Sequence, residues 1–224
     1  MAGTVVFDLD GTLADTSGDL IAAANGCFRA RGLGDLLDPV ADALTAFHGG
    51  RAMLRLGYGR IGPDVLLPPG AEDKDYQRLL DHYADHIAVH TRLYPGVTEA
   101  LQQLQDDGFL LTVCTNKPEG LAEMLLRELG IRGMFGGLIG ADTLPVRKPD
   151  PRPYRAAVEA AGGEVAQSFL LGDTDTDRKT ARAAGVRIAL VSFGPEGQGI
   201  SRLDPDAMLD RFADLPELAR RWLG

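Results

Sequence analysis

The sequence predicts an α/β protein: a core built on a parallel sheet, interrupted just after its first strand by an inserted α-helical domain. Three observations carry that expectation. From Leu93 onward, short continuous apolar runs alternate with helical patterns, the signature of parallel strands covered on both faces. An apolar run of the same kind, Val5-Val6-Phe7, opens the chain but is separated from the others by a long stretch of helical periodicity. The strand candidates end on carboxylates, hydroxyls and lysines, and open α/β sheets carry their sites outside those ends.

The first strand runs into Asp8-Leu9-Asp10-Gly11-Thr12-Leu13. In an extended strand residues i and i+2 share a side, so Asp8 and Asp10 are presented together, and Gly11 lets the backbone turn. Two carboxylates about 4 Å apart repel by on the order of 4 kcal/mol at an effective dielectric of roughly 20. A site that keeps such a pair holds a cation or a proton. Taken alone, Asp and Gly after an apolar strand also describe an ordinary turn; the rest of the chain separates the two readings.

Asp15, Thr16 and Ser17 offer N-caps for a helix whose apolar face is Leu20, Ala24, Cys27 and Phe28, ending before Gly32. Shorter helices are expected at Pro39 to Phe47 and Arg51 to Leu56, and the Pro- and Gly-rich segment Gly62 to Gly70 reads as a loop. Tyr76, Leu79, Leu80, Tyr83 and Ile87 mark a longer amphipathic helix running to about His90. Beyond it the alternation begins. Helices are expected at Val97–Leu104, Leu121–Leu129, Tyr154–Ala161 and Thr176–Ala184, and strands at Phe109–Thr115, Gly137–Gly140, Phe169–Leu171 and Arg187–Val191. The predicted division is a discontinuous core, residues 1–14 and 92–224, with a helical cap at 15–91. An insertion at that point is expected to lie over the site as a lid.

A chain of 224 residues can bury a substantial core, and its formal charge of −9 argues against nucleic acid or an anionic membrane as partner. Cys27 and Cys114, far apart in the chain, are expected to be free and buried. No signal peptide or apolar stretch of membrane-spanning length is visible, so a cytoplasmic protein is expected. Its expected state is a monomer or homodimer.

Three further strand ends converge with the first: Thr115-Asn116-Lys117-Pro118, Lys148-Pro149, and Gly172-Asp173-Thr174-Asp175-Thr176-Asp177. Together they assemble carboxylates, a hydroxyl and an ammonium, a set suited to a hard divalent cation and a phosphoryl group. An anionic phosphate ester repels a carboxylate nucleophile, so its charge must be neutralised and the reacting atoms aligned. Carboxylate and carbonyl oxygens select Mg²⁺. Lys148 supplies a compact positive charge and Thr115 a donor, while a second carboxylate can give a proton to the leaving oxygen and take one from water.

At these residues the chain resembles the haloacid dehalogenase-like hydrolases. Asp8-Leu9-Asp10-Gly11-Thr12 resembles their D-x-D-G-T motif, Thr115 their second-motif hydroxyl, Lys148 their third-motif lysine, and Gly172-Asp173 with Asp177 their G-D-x-x-x-D motif, all in order. The resemblance implies a Rossmann-like core with a helical cap. It implies Asp8 as nucleophile, Asp10 as general acid and base, and Thr115, Asn116 and Lys148 as phosphoryl holders. It also implies Mg²⁺ held by the Asp8 carboxylate, the Asp10 carbonyl and Asp173, with Asp177 in support. Asp at position 10 resembles the phosphatase branch. Leu93-Tyr94-Pro95-Gly96-Val97, Cys114-Thr115-Asn116-Lys117-Pro118 and Val146-Arg147-Lys148-Pro149-Asp150-Pro151 resemble bacterial phosphoglycolate phosphatases. The implied substrate is a small phosphorylated metabolite, 2-phosphoglycolate first. The alternatives are a sugar-phosphate phosphatase, a β-phosphoglucomutase-like phosphotransferase and, from another class, a receiver-like signalling module phosphorylated on aspartate. Arg178-Lys179 depart from the family pattern, which places an apolar residue after the last motif acid, and put local helix packing in question.

Arg51, after Gly49-Gly50, is either a cation offered to a substrate carboxylate or an ordinary surface arginine. Asn116 and Lys117 could cap the strand end only; adjacency to Thr115 favours a phosphate contact for Asn116. His82, His86 and His90 share one helical face, but no partner segment completes a metal site, so they read as a solvated or hinge-facing stripe. Asp175 reads as a solvated loop acid.

Overall fold

The structure, a computed structural model, describes residues 3–62 and 70–224. In chain order its strands and longer helices are β1 (Thr4–Phe7), β2 (Ala14–Asp15), α1 (Ser17–Ala30), α2 (Ala43–Ala46), α3 (Gly50–Gly59), α4 (Ala71–Asp85), β3 (Arg92–Leu93), α5 (Val97–Asp106), β4 (Leu110–Cys114), α6 (Glu119–Glu128), β5 (Gly137–Ile139), α7 (Pro151–Ala160), β6 (Ser168–Gly172), α8 (Asp175–Ala184), β7 (Arg187–Val191), β8 (Ala207–Leu209) and α9 (Leu215–Leu223). The chain divides into two compact units, Met1–Asp15 with Leu93–Gly224, and Thr16–Arg92.

The first unit is a six-stranded sheet in the order β5-β4-β1-β6-β7-β8, with every pairing parallel. β1 lies at its centre, Val5 opposite Leu111 on one side and Phe169 on the other. Parallel neighbours need crossovers, and α6, α7 and α8 provide them between β4, β5, β6 and β7. The path steps outward from β1 to β4 and β5, then returns to the far side of β1 for β6, so β1 stands at the switch point where such sheets carry sites. Val6, Leu170, Ile188 and Leu190 pack with Tyr154, Ala157 and Val158 of α7 and Ala181 of α8 in one buried cluster. The sequence predicts no element beyond Val191. There the chain adds the edge strand β8 and α9, whose Trp222 meets Phe169 edge-on at 5.0 Å.

The second unit is helical. α1 follows Thr16 as expected, and Asn25 on its buried face takes the N–H groups of Leu36 and Leu37 on its side-chain oxygen. The helix expected from Pro39 shortens to α2 because the Asp38 carboxylate binds the N–H groups of Val40 and Ala41 in a turn that competes with helix. α3 extends through Gly57, where a Cβ would fall 2.2 Å from the Phe28 ring: only glycine permits that approach. α4 stops at Asp85, short of His90, because the buried Asp19 carboxylate takes the N–H groups of His90 and Thr91. The predicted Gly62 to Gly70 loop lies, apart from its two end residues, outside the described residues. Both cysteines are free and buried, as expected. Among the described residues no helix is long and apolar enough to cross a membrane.

Candidate active site

Asp8 follows the central strand, and its backbone N–H continues the ladder to Leu171. Its Oδ1 accepts from Leu9 N–H at 2.8 Å and from Lys148 Nζ at 3.0 Å. Asp173, after the neighbouring β6, accepts the Thr12 hydroxyl on Oδ1 at 2.7 Å. Its Oδ2 is buried and without a partner among the described residues. Burial pushes the Asp8 carboxyl up to about 7; Lys148 opposes that rise, while Asp177 and Asp10 add to it. Asp173 is held well above the carboxylate range by burial, then by Asp177 and Asp8. Burial disfavours the charged form of Lys148, but Asp177 and Asp8 outweigh it and keep the ammonium charged.

Asp177 is fully occupied. Oδ1 accepts from Lys148 Nζ at 2.6 Å, and Oδ2 accepts the Thr174 hydroxyl at 2.6 Å and the N–H groups of Thr174 and Asp173 at 3.1 and 3.3 Å. With Thr174 it forms the capping box that starts α8. A Cβ on Gly172 would fall 2.5 Å from the Asp177 side chain, so glycine there lets that first turn close onto the strand end. The family departure at Arg178 leaves α8 intact, because its guanidinium reaches the carbonyls of Leu203 and Asp204 at 2.6 and 3.2 Å.

On the other flank of β1, Thr115 follows β4, and its hydroxyl accepts from Lys117 N–H at 3.2 Å. The Asn116 amide donates to the Lys148 carbonyl at 3.0 Å, tying two strand ends together. Lys117 Nζ donates to Asp10 Oδ1 at 2.7 Å. Thus Asp8, Asp10, Thr115, Asn116, Lys148, Asp173 and Asp177 all sit on one edge of the sheet; these bonds join Asp8, Asn116, Lys148, Asp173 and Asp177 in one set and Asp10, Lys117 and Thr115 in another. Arg51 belongs to the other unit, where its guanidinium pairs with Asp73 and lies 4.4 Å over the Tyr76 ring.

Oxygens of Asp8, Asp173 and Asp177 lie within 4.8 Å of one another, all buried; among the described residues this is the one group placed to hold a metal ion. The donor set is oxygen throughout, as Mg²⁺ prefers. Fully ionised, the four carboxylates Asp8, Asp10, Asp173 and Asp177 would outnumber the two ammoniums, Lys148 and Lys117, by two negative charges, an excess that protons or a divalent cation must balance. The orphaned Asp173 Oδ2 is the atom such an ion would satisfy. These residues fit a divalent cation. The histidine stripe makes no such group: His82 packs on Gly26 and His90 on Gly18.

The model of the haloacid dehalogenase-like hydrolases matches residues 5–191, from β1 through β7. The chain belongs to that family. Among relatives of this haloacid dehalogenase-like hydrolase, a phosphoglycolate phosphatase of Caulobacter vibrioides is 39% identical over 96% of this chain and 89% of its own. One from Mesorhizobium japonicum is 37% identical over 97% and 95%. The crystal structure of a predicted phosphoglycolate phosphatase from Haemophilus somnus superposes with a TM-score of 0.85 at 25% identity, covering 97% of each chain.

Two parts of this haloacid dehalogenase-like site escaped sequence reasoning. Thr12 stood inside the first motif without a role, and its bond to Asp173 depends on β1 and β6 being neighbours. Gly194, beyond the last predicted strand, comes so close to the first-motif turn that a Cβ would fall 2.9 Å from the Gly11 carbonyl. The Tyr94–Phe193–Phe212 rings, 5.1 and 5.2 Å apart, hold that loop. Neither signal is periodic, so pattern alone gives no warning of it.

Proposed function

We propose that this chain is a Mg²⁺-dependent phosphatase that hydrolyses 2-phosphoglycolate by way of an aspartyl phosphate on Asp8. The observation that carries the chemistry is the buried Asp8 carboxylate held between Lys148 and the acids Asp173 and Asp177. The full-length likeness to phosphoglycolate phosphatases supports the substrate.

Asp8, the Asp10 backbone carbonyl and Asp173 would hold the ion, with Asp177 kept for Lys148 and Thr174. A bound Mg²⁺ supplies charge neutralisation on the phosphoryl oxygens. Lys148 adds its fixed positive charge, and Thr115 and Asn116 donate to the same oxygens. The Asp8 carboxylate attacks phosphorus, and the ester bond breaks as Asp10 gives its proton to the departing alkoxide oxygen. Asp10 then takes a proton from water, whose oxygen attacks the phosphorus of the acyl phosphate; inorganic phosphate leaves and Asp8 returns as carboxylate.

A phosphate-release panel tests the reading: 2-phosphoglycolate, hexose phosphates, nucleotides and pyrophosphate, each with Mg²⁺ and with EDTA. The expected result is repeated turnover that EDTA abolishes, with the highest kcat/KM on 2-phosphoglycolate. A hexose phosphate turned over faster would remove the substrate assignment, and hexose-phosphate isomerisation without phosphate release would replace hydrolysis by phosphotransfer.

A further inference from the structure

We infer that Lys117 recognises an anionic group on the leaving side of the substrate, so that it selects phosphate esters of small hydroxy acids. The inference rests on the phosphatase reading above. The two lysines of the site divide its anions. Lys148 binds Asp8 and Asp177, the side on which phosphorus is attacked. Lys117 binds Asp10, its Nζ 2.7 Å from Oδ1 and its side chain 4% exposed.

A group that exchanges a proton with the leaving oxygen must come within about 3 Å of it. An ammonium in hydrogen-bond contact with that carboxyl is therefore within about 6 Å of the ester oxygen when both meet the same carboxyl oxygen, and within about 8 Å when they meet different ones. A carboxylate carried one carbon beyond the ester oxygen falls inside this range, whereas a neutral leaving group offers the ammonium no second charge. An ammonium donates in three directions, so a substrate carboxylate can be met beside Asp10. The backbone fixes its origin: Lys117 N–H donates to the Thr115 hydroxyl, and the Lys117 carbonyl accepts from Ala141 at 2.9 Å. The cation is thus tied to the phosphoryl-binding hydroxyl, which sets the distance between the two anionic ends of a bound ester. A buried ammonium is costly unless paired, and a second anion adds to its pairing. Arg51, the other candidate cation, differs in being exposed, its guanidinium on Asp73 and the Tyr76 ring of the helical unit.

The test compares 2-phosphoglycolate with 2-hydroxyethyl phosphate, close in size but neutral on the leaving side, in the wild type, Lys117→Met and Lys117→Arg. In Lys117→Met the kcat/KM for 2-phosphoglycolate is expected to fall at least about tenfold more than that for 2-hydroxyethyl phosphate, chiefly through KM. Lys117→Arg is expected to regain part of the preference. Equal losses on both esters would overturn the inference, leaving Lys117 as a positioning residue for Asp10. Lys117→Gln repeats the comparison if Lys117→Met does not fold. A wild type that shows no preference for 2-phosphoglycolate would overturn the substrate reading itself, independently of the variants.

Discussion

Thr12 shows how much of this site depends on single side chains that carry no charge. Among the described residues its hydroxyl is the one donor to the Asp173 carboxylate, whose other oxygen is buried without a partner. Replacing it by valine keeps the shape and removes the bond, so the carboxylate loses the contact that aims it. Residues that orient a metal-binding carboxylate typically contribute about 10–100-fold in affinity. Thr12→Val is therefore expected to weaken Mg²⁺ binding by that range, read by titration calorimetry, with the far-ultraviolet spectrum unchanged. Unaltered affinity would remove Thr12 from the site. The acids themselves were legible because D-x-D-G after a strand is joined by further strand ends that carry a hydroxyl, a lysine and two more acids, a combination an ordinary turn does not explain. Thr12 and Lys117 stood beside them in sequence, but their partners, Asp173 and Asp10, lie on different strand ends, and no spacing rule records that adjacency.

The first turn of α8 joins stability to the site. Thr174 caps the helix, and the Asp177 that completes the capping box also binds Lys148. Thr174→Ala is expected to cost about 1 kcal/mol of stability, measured in urea, and to lower kcat/KM as Asp177 loses its hydroxyl donor. A variant with lowered stability but wild-type kcat/KM would show that the cap and the lysine are independent. Helix positions in the core followed from periodicity, and the cation–carbonyl bonds of Arg178 explain how a basic residue fits where an apolar one is usual. Short elements were legible only in part. The three-residue β5 was expected at Gly137–Gly140, the three-residue β8 was not, and the helix expected from Pro39 kept only α2 because a turn fixed by Asp38 replaces its start.

For the molecule as a whole, the feature that matters is a concentration of negative charge on one edge of a parallel sheet. Burial raises the Asp8 carboxyl from 3.8 to about 7 and lifts Asp173 as well. Across that window the folded chain holds protons that the unfolded chain has released, so this site's contribution to stability falls as pH rises. A divalent cation held by Asp8 and Asp173 would take the place of those protons. Mg²⁺ is therefore expected to raise the Tm more at pH 8 than at pH 5; a shift that is equal at both, or larger at pH 5, would contradict the assignment of these acids to the ion. The parallel core and the inserted helical unit were legible because both follow from hydrophobic period, the most redundant signal a sequence carries. Hydrolysis by this site requires that Asp8 carry the phosphoryl group. Rapid acid quenching of the enzyme mixed with 2-phosphoglycolate and Mg²⁺, followed by peptide mass spectrometry, tests it most directly. One phosphoryl group is predicted on the peptide containing Asp8, with neither label nor turnover in Asp8→Asn; turnover by Asp8→Asn, or a label on another residue, would contradict it.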